Sequence, residues 1–316
     1  MSSRVRRGRA INGILLLDKP SGITSNGALQ RVKRLFNANK AGHTGSLDPL
    51  ATGVLPICLG EATKFSQYLL DANKGYVSTF TLGVRTDSGD CDGNVLATVD
   101  ASAVTVEQIA RAIDGFRGAI QQIPPMYSAL KQNGQPLYKL ARKGIEIERT
   151  PRSVDIFEYQ LVNFKPGVTA QLEVRVLCSK GTYIRSLAED LGSILGCGAH
   201  VSSLRRYVAG AFHQSASLSL PDLEQLLEQS GLSACDKALL PVDAAIADRV
   251  AIEINEIDSV SLQQGRRVLL SQGFRPDQEA DIVRVFRADQ TFLGIGKVTE
   301  DGFLVPLRLI SAPLLR

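Results

Sequence analysis

Between Ala41 and Lys64 the chain reads AGHTGSLDPLATGVLPICLGEATK, and no other segment constrains the fold as much. Gly42, Gly45 and Gly53 punctuate a stretch of small residues, so the backbone there can turn sharply and approach other backbone closely. The segment is too long for a mere connector and is expected to be a functional loop. Ahead of it, GILLLDK (Gly13 to Lys19) reads as a buried strand entering a turn at Pro20 to Gly22. Leu29, Val32, Leu35 and Phe36 then give Asn26 to Phe36 helical spacing. The chain therefore opens strand, turn, helix, glycine-rich loop.

Further along, Tyr76 to Val84 alternates and is rich in β-formers, and Val95 to Val99 offers a return strand, which predicts a hairpin with a long polar tip. Thr105 with Gln108 spells a capping box before a helix through Ile109 and Ile113. Residues 119–152 carry Pro124, Pro125, a short helix near Leu137 to Arg142 and many cations, as a projecting surface loop would. Leu172 to Cys178 alternates as a strand, Ser179 to Gly192 passes from strand to helix, and Pro221 to Glu228 is a further helix. Composition changes at Pro241 to Arg249, and the segments beyond it (Ile282 to Phe286, Phe292 to Lys297, Phe303 to Leu309) are short and β-like, which predicts a domain boundary near residue 249.

Composition narrows the function by exclusion. With 36 Lys and Arg against 32 Asp and Glu, the net charge of +4 favours a polyanionic partner only mildly. The cations are concentrated, however: Arg4, Arg6, Arg7 and Arg9 at the N-terminus, and Lys131, Lys139, Arg142, Lys143, Arg149 and Arg152 in the projecting stretch. Five cysteines show neither C-x-x-C spacing nor a partnered His, which is the expectation for a reduced, metal-free cytoplasmic protein. No apolar run follows the basic start as in a signal peptide, and none approaches the length of a membrane span. Phosphate loops, G-x-G-x-x-G and H-E-x-x-H are absent, so nucleotide hydrolysis, dinucleotide redox and zinc chemistry lack their usual cradles. Cofactor-free chemistry is the remaining expectation.

Asp48, held among glycines between His43 and Pro49, is a candidate nucleophile or acid-base group. Alone it reads more readily as a turn or cap aspartate. The whole of GHTGSLDPLATGVLPICLGEATK, however, resembles the signature of the TruB family of tRNA pseudouridine synthases, and the resemblance extends through DKPSGITS (Asp18 to Ser25), KGYVSTFTLGVRTDSGDCDG (Lys74 to Gly93), IPPMYSALKQNGQPLYKLARKG (Ile123 to Gly144), SKGTYIRSLAEDLG (Ser179 to Gly192) and GCGAHVSSLRR (Gly196 to Arg206). It spans roughly residues 11–210 in the family's order. VSLQQGRRV (Val260 to Val268) looks more loosely like the start of a PUA-type RNA-binding module.

The resemblance implies isomerisation of uridine to pseudouridine at position 55 in the T loop of tRNA, without cofactor or metal. Asp48 would be the nucleophile, attacking either sugar or base, with Arg185 keeping it ionised and oriented. Tyr76 would lie against the flipped base and take part in proton transfer, Tyr183 and Leu204 would line the same pocket, and His43 would enter the RNA stack as the uridine leaves. Lys19 and Pro20 would be scaffolding, and Lys64 a pocket-wall or phosphate contact. Lys131, Arg142 and Lys143 would hold phosphates from a mobile loop, and Arg85, Thr86, Asp87 and Asp90 would touch the T loop from the hairpin tip. Each of these also has an ordinary reading, as core residue or solvated charge.

The implied fold is α+β: a mixed, largely antiparallel sheet with flanking helices and long loops over residues 11–249, a small β-rich PUA-like module over 250–316, and a basic, unstructured tail over 1–10. The expected partner is the T arm of tRNA, bound by a monomer that needs no other protein. A guide-RNA-dependent synthase is disfavoured by the matched substrate-clamping loop, and a non-catalytic RNA-binding protein by the retention of both Asp48 and Arg185.

Overall fold

In the computed structural model, which describes residues 8–270 and 282–311, the larger part of the chain is built on a ten-stranded sheet. Strand β1 (Gly13–Lys19) leads through helix α1 (Ser25–Leu35) to β2 (Ala41–His43), β3 (Thr52–Leu59), α2 (Ser66–Asp71) and β4 (Lys74–Leu82). A separate hairpin follows, β5 (Val84–Thr86) with β6 (Val95–Thr98), then α3 (Val106–Asp114) and β7 (Gly118–Gln122). The projecting stretch carries β8 (Lys131–Gln132), β9 (Gln135–Pro136) and a single helical turn, α4 (Leu137–Ala141). Strands β10 (Arg152–Lys165) and β11 (Gln171–Cys178), helix α5 (Ile184–Ile194), β12 (Ala199–Ala209), β13 (Phe212–His213), β14 (Leu218–Ser219) and α6 (Leu220–Lys237) complete this part. The sheet runs β14-β1-β3-β12-β4-β11-β10-β7, with β2 added on β3 and β13 on β12. Only the β1/β14 and β3/β12 pairs are parallel, so the sheet is mixed and largely antiparallel, as expected.

Local chemistry places the helices. Thr105 and Gln108 close the capping box of α3 in both directions, Ser219 and Asp222 do the same for α6, and the Thr24 side chain accepts from Gly27 at the start of α1. Ala28, Leu29 and Val32 of α1, Ile109 and Ile113 of α3, and Leu187, Ala188 and Leu191 of α5 share one core with Leu15, Leu17, Leu55 and Ile57 of the sheet. The alternate residues Ile14, Leu16, Val54 and Cys58 face a second cluster on the other side. Strands buried on both faces show continuous apolar runs rather than alternation, and each fully buried Leu or Ile side chain contributes about 1.5–3 kcal/mol.

That double burial corrects the first expectation. Residues 41–64 are not one loop, because Thr52–Leu59 is the central strand β3, and only residues 44–51 between β2 and β3 are irregular. The expected hairpin is also displaced: β6 pairs with β5, while β4 lies between β11 and β12. Likewise the projecting loop begins later than 119, since β7 is paired with β10, and Ser179 to Thr182 is a turn that α5 follows.

The C-terminal part forms its own five-stranded sheet in the order β15-β17-β18-β19-β16. It consists of β15 (Ala251–Ile254), α7 (Glu256–Gln263), β16 (Val268–Leu269), β17 (Ile282–Arg287), β18 (Phe292–Val298) and β19 (Phe303–Leu309). Its separate core includes Ile252, Leu262, Val283, Val285 and Leu304. Phe65, Ile246 and Ile295 pack the two parts together. The first seven residues lie outside the described ones. Arg9 is tied down rather than free, its Nε donating to the Phe36 carbonyl at 2.8 Å and its guanidinium pairing with Asp236.

Candidate active site

Loop 44–51 is held carbonyl by carbonyl. The Ser25 hydroxyl donates to the Leu47 carbonyl at 3.0 Å and accepts from the Leu47 amide at 2.7 Å. Lys19, fully buried, sends its ammonium to the carbonyls of Pro20, Pro49 and Ala51 at 2.9, 3.3 and 2.7 Å. Arg206 donates Nη2 to the Gly45 carbonyl at 3.0 Å. Gly45 sits at φ +72°, and an added Cβ would stand 3.2 Å from Arg206 Nη1; at Gly53, φ +100°, it would stand 2.2 Å from the Arg206 carbonyl. Glycine is thus required at both places, once for the loop and once for the close approach of β3 to β12.

The loop presents Asp48, about one-third exposed, to Arg185 in the first turn of α5. The two form a fork, with Nε to Oδ2 at 3.0 Å and Nη2 to Oδ1 at 3.2 Å. Arg185 is itself 4% exposed and its other donors are occupied by the Ser88 carbonyl at 2.9 Å and the Tyr127 carbonyl at 2.7 Å. Asp90 lies 3.5 Å from Nη1 as a second carboxylate. Burial pushes the Asp48 carboxyl above its ordinary range, while the Arg185 charge opposes the rise. The same burial lowers the Lys19 ammonium to about 8, with the Asp48 charge opposing. A partly exposed carboxylate aimed by a bidentate guanidinium whose charge favours its ionised form is suited to nucleophilic attack.

Around this pair the sheet brings other candidates together. Tyr76 of β4 is buried and stands opposite Arg206 of β12 in the strand register. Leu204, on the same strand as Arg206, lines a cleft of about 530 Å³ with Ser21, Gly22, Leu50 and Asp92. Tyr183 precedes α5, its backbone clasped by the buried Gln122 side chain at 2.7 and 3.0 Å and its ring covered by the Arg152 guanidinium at 4.6 Å. His43 on β2 is half-buried with Nδ1 lacking a hydrogen-bond partner, and burial together with the Arg206 charge lowers its pKa, leaving it neutral at physiological pH. Pro20 is exposed and gives its carbonyl to Lys19.

Three candidates are elsewhere: Thr86 of the hairpin is buried, its hydroxyl donating to the Asp90 carbonyl at 2.8 Å, and the others are Lys64 and Asp90. Lys64 does not line the pocket: its ammonium reaches the Leu309 carbonyl at 2.9 Å and the Glu61 carboxylate, so it ties the first sheet to the second. Asp90 is not exposed at a hairpin tip. It is 5% exposed and turned inward, accepting from the Ser88 hydroxyl at 2.6 Å and facing Arg185, because an aspartate bonding backbone and hydroxyl two residues away folds its own turn. Lys131, Arg142 and Lys143 are exposed on the projecting stretch, Arg142 lying 5.6 Å over the Tyr138 ring.

Sequence reasoning assigned no role to Arg206, Gln122 or the Tyr127 carbonyl. Arg206 had a signal: adjacent strand residues face opposite sides, so a strand carrying Arg205 and Arg206 must bury one of them. Among the described residues no group of His, Cys, Asp and Glu is placed to hold a metal, and no helix is long and apolar enough to cross a membrane.

Comparison with known proteins agrees with this geometry. Residues 33–184 match the model of the TruB family pseudouridylate synthase N-terminal domain, 185–247 that of the tRNA pseudouridylate synthase B C-terminal domain, and 251–310 that of the pseudouridine synthase II TruB C-terminal domain. The chain belongs to the TruB family. Among its relatives, a tRNA pseudouridine synthase B of Saccharophagus degradans is 53% identical over 98% of this chain and 99% of its own. One of Stutzerimonas stutzeri is 52% identical over 98% of each. Among solved structures, a Cbf5-Nop10-Gar1 complex superposes with TM-score 0.70 at 27% identity over 95% of this chain and 84% of that chain. An H/ACA ribonucleoprotein bound to a substrate RNA gives 0.71 at 23% identity over 99% of this chain and 93% of that one, a likeness of fold. In this TruB chain Asp48, Tyr76 and the Arg152–Tyr183 contact fall inside the N-terminal model, and Arg185, Leu204 and Arg206 inside the one that follows.

Proposed function

We propose that the protein isomerises uridine to pseudouridine at position 55 in the T loop of tRNA, acting alone and without cofactor, with Asp48 as nucleophile. The observation that carries this reading is the Asp48–Arg185 fork, in a chain about 50% identical to proteins named tRNA pseudouridine synthase B.

The reaction breaks the bond from ribose C1′ to uracil N1 and makes one from C1′ to C5; N1 gains a proton and the C5 hydrogen leaves as one. No electrons enter or leave, so the residues have only to extrude, attack, hold and move a proton. His43, neutral and at the edge of the sheet, fills the stack that the uridine vacates. Asp48 attacks sugar or base while Arg185 keeps its charge and direction. Tyr76, Tyr183 and Leu204 confine the detached uracil so that it turns without escaping, and the Tyr76 hydroxyl, giving up its own proton as it takes one, passes the C5 proton on towards solvent. Lys131, Arg142 and Lys143 hold backbone phosphates without reading sequence. Residues from about 250 onward act as a PUA-like RNA-binding module whose placement Lys64 helps to set.

The test is tritium release from C5 of uridine in an unmodified tRNA transcript, comparing the unaltered protein with Asp48→Asn and adding no cofactor. Release by the unaltered protein alone, confined to the T-loop uridine, is expected. Tight tRNA binding with no release would sink the reading in favour of a non-catalytic RNA-binding protein.

A further inference from the structure

Two arginines are buried in the catalytic part, and they are neutralised very differently. Arg185 faces two carboxylates, Asp48 and Asp90. Arg206, 1% exposed and among the largest fully buried side chains of the protein, pairs with no carboxylate among the described residues. Its Nε donates to the Val54 carbonyl of β3 at 2.8 Å and its Nη2 to the Gly45 carbonyl at 3.0 Å. Its charge helps to lower two further buried cations, Lys19 and Lys74, to about 8. A guanidinium kept dry without a counter-ion is costly, and for a purely structural task an apolar side chain of similar length would be cheaper. Such arrangements concentrate where chemistry needs them.

The backbone around Arg206 is built to bring it there. Strand β12 has bulges at Ser202 and Tyr207 where it pairs with β4, and bulges re-aim side chains beside active sites. Between them Arg206 stands opposite Tyr76, and Gly53 lets β3 pass within contact of the Arg206 backbone. Arg206 from β12, Cys178 at the end of β11 and Asp48 from its loop are near enough to bear on the charge of Tyr76. Burial raises the Tyr76 pKa, and of these neighbours the Arg206 charge alone opposes it.

We infer that Arg206 is a positioning residue for the isomerisation, one guanidinium fork that sets the Tyr76 hydroxyl and the Gly45 end of the Asp48 loop against each other across the pocket. The inference rests on the isomerase reading. Arg206 does not touch the uridine; it acts through Tyr76 and through the loop. Its planar fork spans the Val54 and Gly45 carbonyls in one fixed geometry beside its cross-strand neighbour Tyr76, which the single ammonium of a lysine does not reproduce.

The experiment is single-turnover tritium release from a C5-labelled T-arm RNA by the unaltered protein, Arg206→Lys and Arg206→Met, across pH, with RNA binding and thermal unfolding measured on the same samples. In Arg206→Lys the rate at saturating RNA is expected to fall by about 10²-fold while the RNA Kd changes by less than about twofold. In Arg206→Met the rate falls further and the alkaline limb of the pH profile moves to higher pH, because the Arg206 charge that helps to lower the neighbouring Lys19 ammonium is gone. Should the methionine variant not fold, titration of ring-labelled tyrosines in the unaltered protein takes its place. Tyr76 is expected to ionise at a lower pH than Tyr159, which is as deeply buried, faces only the like-charged Asp190 and has no partner for its hydroxyl. A lysine variant within about twofold of the unaltered rate, a loss of rate matched by loss of binding, or Tyr159 ionising first would each overturn the inference and leave the isomerase reading standing. An unaltered protein that releases no tritium removes that reading, and the inference with it.

Discussion

The loop bearing Asp48 and the loop bearing Lys131, Arg142 and Lys143 are both irregular segments between strands of one sheet, yet they are held in opposite ways. In the first, the carbonyls of Gly45, Leu47, Pro49 and Ala51 are each taken by a buried side chain. The second is gripped only near its base, where Ser186 reaches the Ile123 carbonyl at 3.0 Å, Arg149 the Pro124 carbonyl at 3.2 Å and Arg185 the Tyr127 carbonyl. Beyond that its cations stand in solvent. A nucleophile has to be placed within a fraction of an ångström, so its backbone is pinned on all sides. Phosphate contacts tolerate displacement, and a clamp has to open, so its backbone is not. Arg185 touches both, through Asp48 and through the Tyr127 carbonyl.

The contrast breaks first, and most severely, at Asp48. Asp48→Asn keeps the shape of the side chain but gives up the negative charge and one of the two acceptors facing Arg185, and tritium release is expected to fall by more than about 10³-fold while the RNA Kd changes far less. Lys19→Met tests the pinning itself. It takes the Lys19 donor from the carbonyls of Pro20, Pro49 and Ala51, of which Pro49 keeps the Gly22 amide, at about 1–3 kcal/mol for each carbonyl left buried and unpaired before relaxation, so both the chemical rate and the melting temperature should drop while RNA binding is kept. A variant as active as the unaltered protein would mean that the loop holds its shape without Lys19.

Titration sharpens the same point without substitution. Asp48 acts ionised and its pKa is raised, so the rate should fall on acidification at a pH above the ordinary 3.8. Lys19 is charged below about 8, so the rate should fall again as pH rises through that value. Stability runs the other way on the alkaline side. Between about 8 and the unfolded value of 10.5 the unfolded chain binds the Lys19 proton that the folded one has lost, so folding is favoured as pH rises across that window. A pH–rate profile set beside urea melts at each pH reads both signs.

Smaller effects are expected in the open loop. Alanine at Lys131, Arg142 or Lys143 should raise the Kd for tRNA a few-fold, lower the slope of log Kd against log salt by about one for each phosphate no longer neutralised, and leave the rate at saturating tRNA alone. A lower saturating rate would show that this loop takes part in placing the reacting groups. Lys64→Ala should be the mildest, costing about 1 kcal/mol or less for a partly exposed tie and sparing the chemistry; a fall in the chemical rate would return Lys64 to the pocket.

Much of this was legible along the chain. Caps, turns and periodicity are local, so α1, α3, β1, β11 and the β-rich C-terminal segments could be read directly, and the long match to the TruB signature singled out Asp48 and Arg185. Strand β3 was hidden because burial on both faces abolishes alternation. The bulges of β12 break the two-residue period that would have revealed it. The inward turn of Asp90, the displacement of Lys64 to the seam between the two sheets, and the burial of Arg206 all depend on partners far away in sequence: 95 residues separate Asp90 from Arg185, 245 separate Lys64 from Leu309, and 161 separate Arg206 from Gly45. The sequence by itself determined which residues are candidates for the chemistry, because a carboxylate, an arginine and the glycines of one signature are matters of residue identity and local spacing. Only the tertiary structure decided which of the many charged side chains face that chemistry, because burial and ion pairing are set where distant strands meet.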